Sequence, residues 1–292
     1  MTKSMKRRKE RSRYLTILFI FILCLFENLA FAGEPLSFYV LNQRSVTLTA
    51  EYWNPILRYV STRSNVPLRL KIGRTAPETT RMTVEEGNAA FAYTNQLFTP
   101  ARDRLEWRAI ARPVGKHIHG AIVVREDSRL TILAQLSNKE VGFPSPEAFV
   151  GYWLPMDALL KAGIRVTPLF GGNQEGVMGQ LKTGRIAAAG VNAEIMADYA
   201  TREKLRYHTI WKSEAYLNLP IMAHPRVSRN TVKAVREAFI QMARDEEGKK
   251  ILQAAANLIG ANGETGFVAA DDQKYDNYRR FYRGTVLPIG TE

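Results

Sequence analysis

Three short apolar segments decide the predicted fold: LSFYVL at residues 36–41, PLRLKI at 67–72 and AAFAY at 89–93. Their lengths and composition are typical of β-strands in a buried sheet. Between them, apolar residues recur at helical spacing over 49–62, and a second helix is predicted over 78–86. Because strands alternate with helices, the opening of the chain predicts β-α-β units and a mainly parallel sheet with helices on its faces.

The same alternation resumes in the second half of the chain. The predicted strands there are 121–125, 141–143, 166–170, 186–191, 207–211 and 219–223. The predicted helices are 146–162, 177–182, 194–199, 228–243 and 248–258. We interpret the chain as an α/β protein with two lobes, joined by crossing strands, and a cleft between them. Lobe one is expected over about residues 34–121 and 222–292, and lobe two over about 122–221.

The first 32 residues have the pattern of a secretory signal peptide. Residues 1–14 carry seven basic side chains and one acidic side chain, an apolar run follows over 15–26, and residues 30–32 read AFA. We expect cleavage after Ala32 and export to the periplasm. The alternative is an uncleaved anchor helix, which would need about 20 apolar residues. This apolar run is shorter and is followed by Glu27.

The single cysteine, Cys24, lies in this apolar run after Ile22 and Leu23, rather than after the small residues of a lipoprotein signal. The exported chain is therefore expected to have no disulfide and no cysteine metal site. Cleavage would remove seven basic and two acidic side chains, which lowers the formal net charge from +13 to near +8. This charge favours anionic ligands or an acidic membrane surface, although interspersed charges are also typical of a solvated basic surface. No nucleic-acid-binding motif accompanies the charge, so no nucleic-acid partner is expected.

Four segments, in order along the chain, resemble those of one protein family. They are GNAAFAY at 87–93, IVVREDS at 122–128, GFPSP at 142–146 with GYWLP at 151–155, and FVAADD at 267–272 with Tyr275 and Asp276. Over about residues 36–283, the chain resembles the periplasmic binding proteins of phosphate, phosphite and phosphonate ABC transporters. The resemblance implies the type 2 periplasmic-binding-protein fold, with a ligand cleft between two lobes. It also implies an ABC-transporter permease as the membrane partner.

The resemblance is weakest at the family's ligand-binding positions. Where the family has Ser-Thr-Ser before the glycine of the third motif, this chain has AFV at 148–150. The hydroxyl donors are missing, although the free backbone N–H groups at a helix N-terminus would still attract an anion. The family's acidic positions are Ala90, Ala187 and Asn192 here. We therefore expect the fold to carry over better than the ligand.

The cleft is expected to be lined where strand ends meet helix starts. The candidate ligand-binding residues are Gln43, Arg44, Tyr93, Thr94, Asn95, Ala148, Phe149, Val150, Asn173, Gln174 and Asn192. Arg44 could hold a carboxylate or a phosphonate through two parallel hydrogen bonds. Two alternatives stay open: residues 43–45 could form an ordinary polar loop, and Thr94 and Asn95 could cap a helix. A cleft filled by the side chains of Phe149 and Val150 is also compatible with the sequence.

No set of residues predicts catalysis, a metal site or a cofactor. Ser145 and Pro146 are typical of a helix N-cap and a first helical residue, and no nucleophile-elbow pattern surrounds Ser145. His117 and His119 would share one face of a strand, but no cysteine or nearby carboxylate pair completes a metal site.

We therefore expect a monomeric, exported solute-binding protein that closes around a small polar ligand by hinge motion and serves an ABC transporter. A phosphonate-like oxyanion is one candidate ligand. The alternative is a periplasmic sensor or interaction protein of the same fold that signals to a membrane partner. An enzyme would need an acid–base pair or an activated nucleophile, and the sequence contains no such pattern.

Overall fold

The computed structural model describes residues 34–115, 117–261 and 263–289. The predicted signal peptide and Cys24 lie outside the described residues. Within the described part of the chain, no helix is long and apolar enough to cross a membrane. The described residues form two β-sheets with helices packed on them, which confirms the predicted α/β class. Lobe one holds the first sheet and lobe two holds the second.

The sheet of lobe one is mixed. Its strands are β1 (Leu36–Val40), β2 (Leu68–Lys71), β3 (Ala89–Tyr93), β4 (Arg108–Pro113), β10 (Ile221–Ala223) and β11 (Phe267–Ala269). They lie in the order β11-β4-β10-β3-β1-β2. Strand β1 pairs in parallel with β2 and β3, as the opening β-α-β units predict. Strand β10 is antiparallel to β3 and β4, because this strand returns from lobe two in the opposite direction.

Helices cover the sheet of lobe one. They are α1 (Val46–Ser64), α2 (Ala76–Glu85), α3 (Pro100–Asp103), α7 (Arg229–Gln241), α8 (Glu246–Ile259) and α9 (Asp276–Gly284). The Ser45 hydroxyl caps α1 by accepting a hydrogen bond from the backbone N–H of Leu48. Helix α1 buries Trp53, Leu57 and Val60 on one face, the spacing that an amphipathic helix requires. Helices α7 and α8 pack against α1, so the C-terminal part of the chain returns to lobe one.

The sheet of lobe two is also mixed. Its strands are β5 (Gly120–Arg125), β6 (Glu140–Phe143), β7 (Thr167–Phe170), β8 (Ala188–Asn192) and β9 (Tyr207–Lys212). They lie in the order β7-β6-β8-β5-β9, with β5 antiparallel to both of its neighbours. Helices α4 (Leu154–Lys161), α5 (Gln174–Lys182) and α6 (Ala193–Glu203) belong to this lobe. The chain crosses between the lobes near Ile118 and again near Tyr216. Two backbone hydrogen bonds between these residues, at 2.7 and 2.9 Å, join the two crossing segments.

The helix predicted to start at Pro146 starts later, so this prediction was wrong. Ser145, Pro146 and Glu147 form a turn in which the N–H of Ala148 donates to the carbonyl of Ser145. A π-helical turn over Phe149–Trp153 follows and leads into α4, and the cap residue is Ala148 rather than Ser145. The side chain of Phe149 is buried in contacts with lobe one, and we attribute the late helix start to that packing.

The last described residues cross back to lobe two. The carboxylate of Asp157 in α4 accepts hydrogen bonds from the Thr285 hydroxyl at 2.8 Å and from the Val286 N–H at 2.9 Å. Leu287 packs in the same buried cluster as Ile122 of β5. The sequence prediction assigned this segment to lobe one, whereas these contacts place it against lobe two. A buried carboxylate needs such donors, because an unpaired one would be costly.

Candidate functional site

Among the described residues, two of the spaces that lie where the lobes meet are lined by predicted site residues, and a third, of about 960 Å³ beside Arg102 and Glu147, is lined by none of them. The smaller of the first two, about 30 Å³, lies at the start of the π-helical turn and is called here the helix-start pocket. The larger one, about 720 Å³, lies to one side, between α1, α6 and α8, and is called the side cavity. A volume of 30 Å³ is about a tenth of the lower end of the range of small-molecule sites, roughly 300 Å³. The side cavity is within the usual size range of small-molecule sites, roughly 300–1,000 Å³.

The two spaces divide the predicted site residues between them. The helix-start pocket is lined by Gln43, Asn95, Ala148, Phe149, Val150, Asn173 and Gln174. The side cavity is lined by Gln43, Arg44, Tyr93 and Asn192. Thr94 lines neither space and is buried. The structure therefore gathers most of the predicted residues at the smaller space, and Gln43 lies between the two.

The side chain of Gln174 forms one wall of the helix-start pocket. It is 3% exposed, and its Oε1 accepts a hydrogen bond from the backbone N–H of Asn192 at 2.9 Å. Its backbone N–H donates to the carbonyl of Gln43 at 3.0 Å, which ties lobe two to lobe one. A Cβ added to Gly151 would lie 2.7 Å from Nε2 of Gln174, so the amide packs closely against Gly151 in the π-helical turn.

Phe149 closes the same pocket from the other side. This side chain is 2% exposed and belongs to the core of lobe one, although its backbone starts a helix of lobe two. Its ring centroid lies 4.4 Å from that of Tyr278 and 5.1 Å from that of Phe281, both in α9. It lies 4.9 Å from the ring of Tyr216 in the crossing segment. Burial of a phenylalanine contributes about 1.5–3 kcal/mol, so this contact favours association of the lobes.

An ion pair adds a third link between the lobes near this pocket. The Arg102 guanidinium lies 2.9 Å from Oε1 of Glu147, and both side chains are largely buried. The second oxygen of Glu147 is buried with no hydrogen-bond partner among the described residues. A carboxylate at this point also disfavours an anion beside the helix start.

Several predicted ligand residues use their side-chain oxygens as caps. Oδ1 of Asn192 accepts from the N–H groups of Glu194 and Ile195, and so caps α6. Oδ1 of Asn173 accepts from the N–H of Gly176 and caps α5. The Thr94 hydroxyl accepts from the N–H of Gln96 at 3.0 Å. These contacts fit the capping alternative for Thr94 and leave fewer polar atoms for a ligand.

The side cavity has an aromatic wall and an apolar wall. The aromatic wall is formed by Tyr52, Trp53 and Tyr93. The ring centroids of Tyr52 and Trp53 are 5.6 Å apart, and those of Trp53 and Tyr93 are 4.7 Å apart. Leu252 and Ile259 of α8 line the apolar wall. Burial raises the pKa of the Tyr93 phenol, which therefore stays neutral and can donate a hydrogen bond at physiological pH.

Charged side chains complete the side cavity. The Arg44 guanidinium lies 4.0 Å from carboxylate oxygens of Glu175 and Asp198, a separation longer than a hydrogen bond. Burial raises the pKa of the Asp198 carboxyl, against the opposing effect of Arg44 and with a further contribution from Glu194. Nδ1 of His119 lies 2.8 Å from Oε1 of Glu194. Among the described residues, no group of three His, Cys, Asp or Glu side chains could hold a metal ion.

Sequence reasoning missed Tyr52, Asp198 and the residues of α8 that line the side cavity. The prediction considered only the strand ends, where this fold class binds ligands. Asp198 lies more than a turn into α6, and α8 is far away in the sequence. The amphipathic pattern of α8 predicts that one face is buried, but not that its end borders a cavity.

Comparisons with known proteins agree with the fold. The model of the family described as "ABC transporter, phosphonate, periplasmic substrate-binding protein" matches residues 38–275. No curated protein matches the chain significantly. Similar solved structures include a binding-protein component of an ABC phosphonate transporter from Pseudomonas aeruginosa. It has a TM-score of 0.70 and 16% identity, and the match covers 85% of this chain and 86% of that one.

A second similar structure is PhnD1 from Prochlorococcus marinus in complex with methylphosphonate, with a TM-score of 0.70 and 15% identity over 85% of this chain and 97% of that one. A Xanthomonas citri protein bound to chloride ion has a TM-score of 0.64 and 16% identity over 86% and 97% of the two chains. At these identities the structures show a shared two-lobed fold. The family match spans most of the chain, and it therefore shows the family as well as the fold. This chain belongs to the family of periplasmic substrate-binding proteins of phosphonate ABC transporters.

Proposed function

We propose that this solute-binding protein holds its ligand in the side cavity rather than at the helix start. The observation that carries the proposal is the difference in volume, about 720 Å³ against about 30 Å³. A small organic solute fits the first space, whereas the second is far below the size range of small-molecule sites, roughly 300–1,000 Å³. The bound solute is handed to the permease of an ABC transporter, the partner that the family implies.

The chemistry of the helix start supports this choice. Ala148, Phe149 and Val150 offer no hydroxyl donor, which leaves Ser145 as the one hydroxyl among the described lining residues, and the Gln174 amide packs against Gly151. An oxyanion that displaced the Gln174 amide would leave the N–H of Asn192 without its acceptor. A buried donor without a partner costs about 1–3 kcal/mol, which would be subtracted from the affinity of any anion there.

The exported form is part of the same proposal. We expect cleavage after Ala32 and a monomer in the periplasm, as the sequence predicts. N-terminal sequencing of the protein purified from the periplasm would test the cleavage site. Light scattering of the same sample would test the monomer.

A second candidate function rests on the links between the lobes. The Phe149 contacts and the hydrogen bond from the Gln174 N–H to the Gln43 carbonyl join the lobes directly, through the protein's own residues. A protein that stays closed without a ligand would suit a sensor or interaction protein, whose surface signals to a membrane partner. Small-angle scattering with and without solute distinguishes the two functions, because only the transport function requires opening.

The test of the leading proposal is a thermal-shift screen of the protein purified from the periplasm. The panel contains methylphosphonate, phosphite, phosphate, sulfate, amino acids and small organic amines. A ligand at 100 times its Kd stabilises the folded protein by about 2.7 kcal/mol. For a chain of this size, that gain raises Tm by roughly 5–10 °C.

Two variants locate the binding site. Ala197 is exposed on α6 and lines the side cavity, so Ala197→Trp should fill its mouth and abolish the shift. Ala254 is exposed on α8 outside the cavity lining, so Ala254→Trp is the matched control and should leave the shift unchanged. Stabilisation by methylphosphonate that persists in Ala197→Trp would place the ligand at the helix start and contradict the proposal.

A further inference from the structure

The side cavity has the opposite charge to the rest of the chain. The whole chain has a formal net charge of +13. Among the described residues that line the cavity, three are acidic, Glu194, Asp198 and Glu264, and one is basic, Arg44. A pocket with an excess of carboxylates in a basic protein concentrates cations rather than anions.

The charge of Arg44 is already shared between two acids. Its guanidinium lies 4.0 Å from Glu175 and 4.0 Å from Asp198. Glu175 has a closer partner in Arg202, at 2.8 Å. Arg44 therefore compensates mainly Asp198, and it does so from beyond hydrogen-bond length. An anion that bound Arg44 would compete with Asp198 and would place two negative charges side by side.

Asp198 is a carboxylate that Arg44 and Arg202 compensate only in part. Its side chain is 27% exposed, and burial raises its pKa in spite of the nearby Arg44. The desolvation of this carboxylate is thus greater than the attraction that Arg44 supplies. A cationic group placed beside Asp198 would offset that desolvation, and the gain would appear as affinity for the ligand.

The other walls of the cavity suit the rest of an organic cation. Tyr52, Trp53 and Tyr93 line it with aromatic rings, whose faces attract ammonium groups. Leu252 and Ile259 supply apolar surface for alkyl substituents. Carboxylates, aromatic rings and aliphatic side chains in a space of about 720 Å³ are a combination that an inorganic oxyanion does not use.

We infer that the side cavity selects an organic ammonium ion that carries small alkyl groups, in preference to an oxyanion or a neutral solute. The ammonium group lies beside Asp198 and the aromatic wall, and the alkyl part lies against α8. This inference rests on the proposed function, because it assumes that the side cavity is where the solute binds.

The test uses isothermal titration calorimetry on the protein purified from the periplasm. The probes are choline, n-butylammonium, 3,3-dimethylbutan-1-ol and methylphosphonate. The alcohol has the shape of choline without its charge, so the pair isolates the contribution of the cation. We expect choline or n-butylammonium to bind at least about 10-fold more tightly than the alcohol, a factor within the range of cation–π and carboxylate contacts.

Two substitutions of the same chemical kind show which carboxylate is used. Asp198→Asn should weaken binding of the ammonium probe at least about 10-fold, since it removes the charge and keeps the shape. Asp127→Asn is the control, because Asp127 is exposed on lobe two and outside the cavity lining. It should leave the affinity unchanged. Circular dichroism of both variants verifies that the fold is intact.

Failure of the inference differs from failure of the proposed function. If the alcohol binds as tightly as choline, Asp198→Asn has no effect and Ala197→Trp abolishes binding, the side cavity is the site but it does not select cations. If methylphosphonate binds and Ala197→Trp has no effect, the site itself is elsewhere and both proposals fail. If no ammonium probe binds at millimolar concentration, the inference is overturned.

Discussion

The helix-start pocket and the side cavity lie side by side between the same two lobes, yet they differ in size and in lining. At the helix start, the buried side chains of Phe149 and Gln174 border a space of only about 30 Å³. In the side cavity, carboxylates, aromatic rings and one arginine surround an open space of about 720 Å³. The comparison indicates that the two spaces could take different ligands, because Phe149 and Gln174 leave little room in one of them and the other is open.

The energetic difference between the two regions follows from what they bury. Phe149 and its aromatic neighbours gain stability from the removal of apolar surface from water. Asp198 lowers the stability of the folded protein, because its carboxylate is partly removed from water and its charge is incompletely compensated. One region therefore stabilises the folded protein and the other is maintained at a cost, as binding sites commonly are.

The largest effect is expected from emptying the helix-start pocket. Phe149→Ala should lower the free energy of unfolding by about 3–5 kcal/mol, because it removes a fully buried ring from an aromatic cluster. Urea denaturation followed by circular dichroism measures the loss.

The control for this prediction is Phe170→Ala, since Phe170 is a 43%-exposed phenylalanine of the same lobe. Its loss should stay below about 1.5 kcal/mol, in line with its partial exposure. Equal losses for the two variants would mean that Phe149 is no anchor between the lobes.

A smaller effect is expected from Gln174. Gln174→Ala removes the acceptor of the buried Asn192 N–H and should cost about 1–3 kcal/mol. The same urea titration measures it. Gln253→Ala on the exposed side of α8 is the matched control and should change stability by less than about 0.5 kcal/mol. If Gln174→Ala left the free energy of unfolding unchanged, water would have replaced the amide, and the pocket would open easily.

The fold could be predicted from sequence further than the site could. Alternating apolar strands and amphipathic helices are local patterns, and they led to the α/β class, whereas the resemblance of four short motifs led to the family. The late start of the helix at Phe149 could not be predicted, because it depends on rings of α9 more than a hundred residues away. The side cavity is likewise formed by α1, α6 and α8, which no local pattern brings together.

The smallest expected effect is a change in Tm on substitution of Asp198. Its folded-state pKa is raised, so its contribution to stability is fully present below its unfolded pKa, about 3.9, and is lost as the pH rises through the folded value. Asp198→Asn should therefore raise the Tm of the ligand-free protein slightly at pH 7, and the gain should vanish near pH 3.5.

Thermal melts of both proteins across this pH range measure the difference. Asp127→Asn, which removes an exposed carboxylate paired with Arg125, should show little change at either pH. A lower Tm of Asp198→Asn at pH 7 would mean that the contact with Arg44 outweighs the desolvation of Asp198.

The most direct test of the central claim is a crystal structure of the protein with the solute that gives the largest thermal shift. We predict electron density for the solute in the side cavity, beside Asp198 and Tyr52, with Phe149 still packed against Tyr278 of α9. Density at the start of the π-helical turn, with the Gln174 amide displaced and Phe149 rotated out of its cluster, would contradict the account.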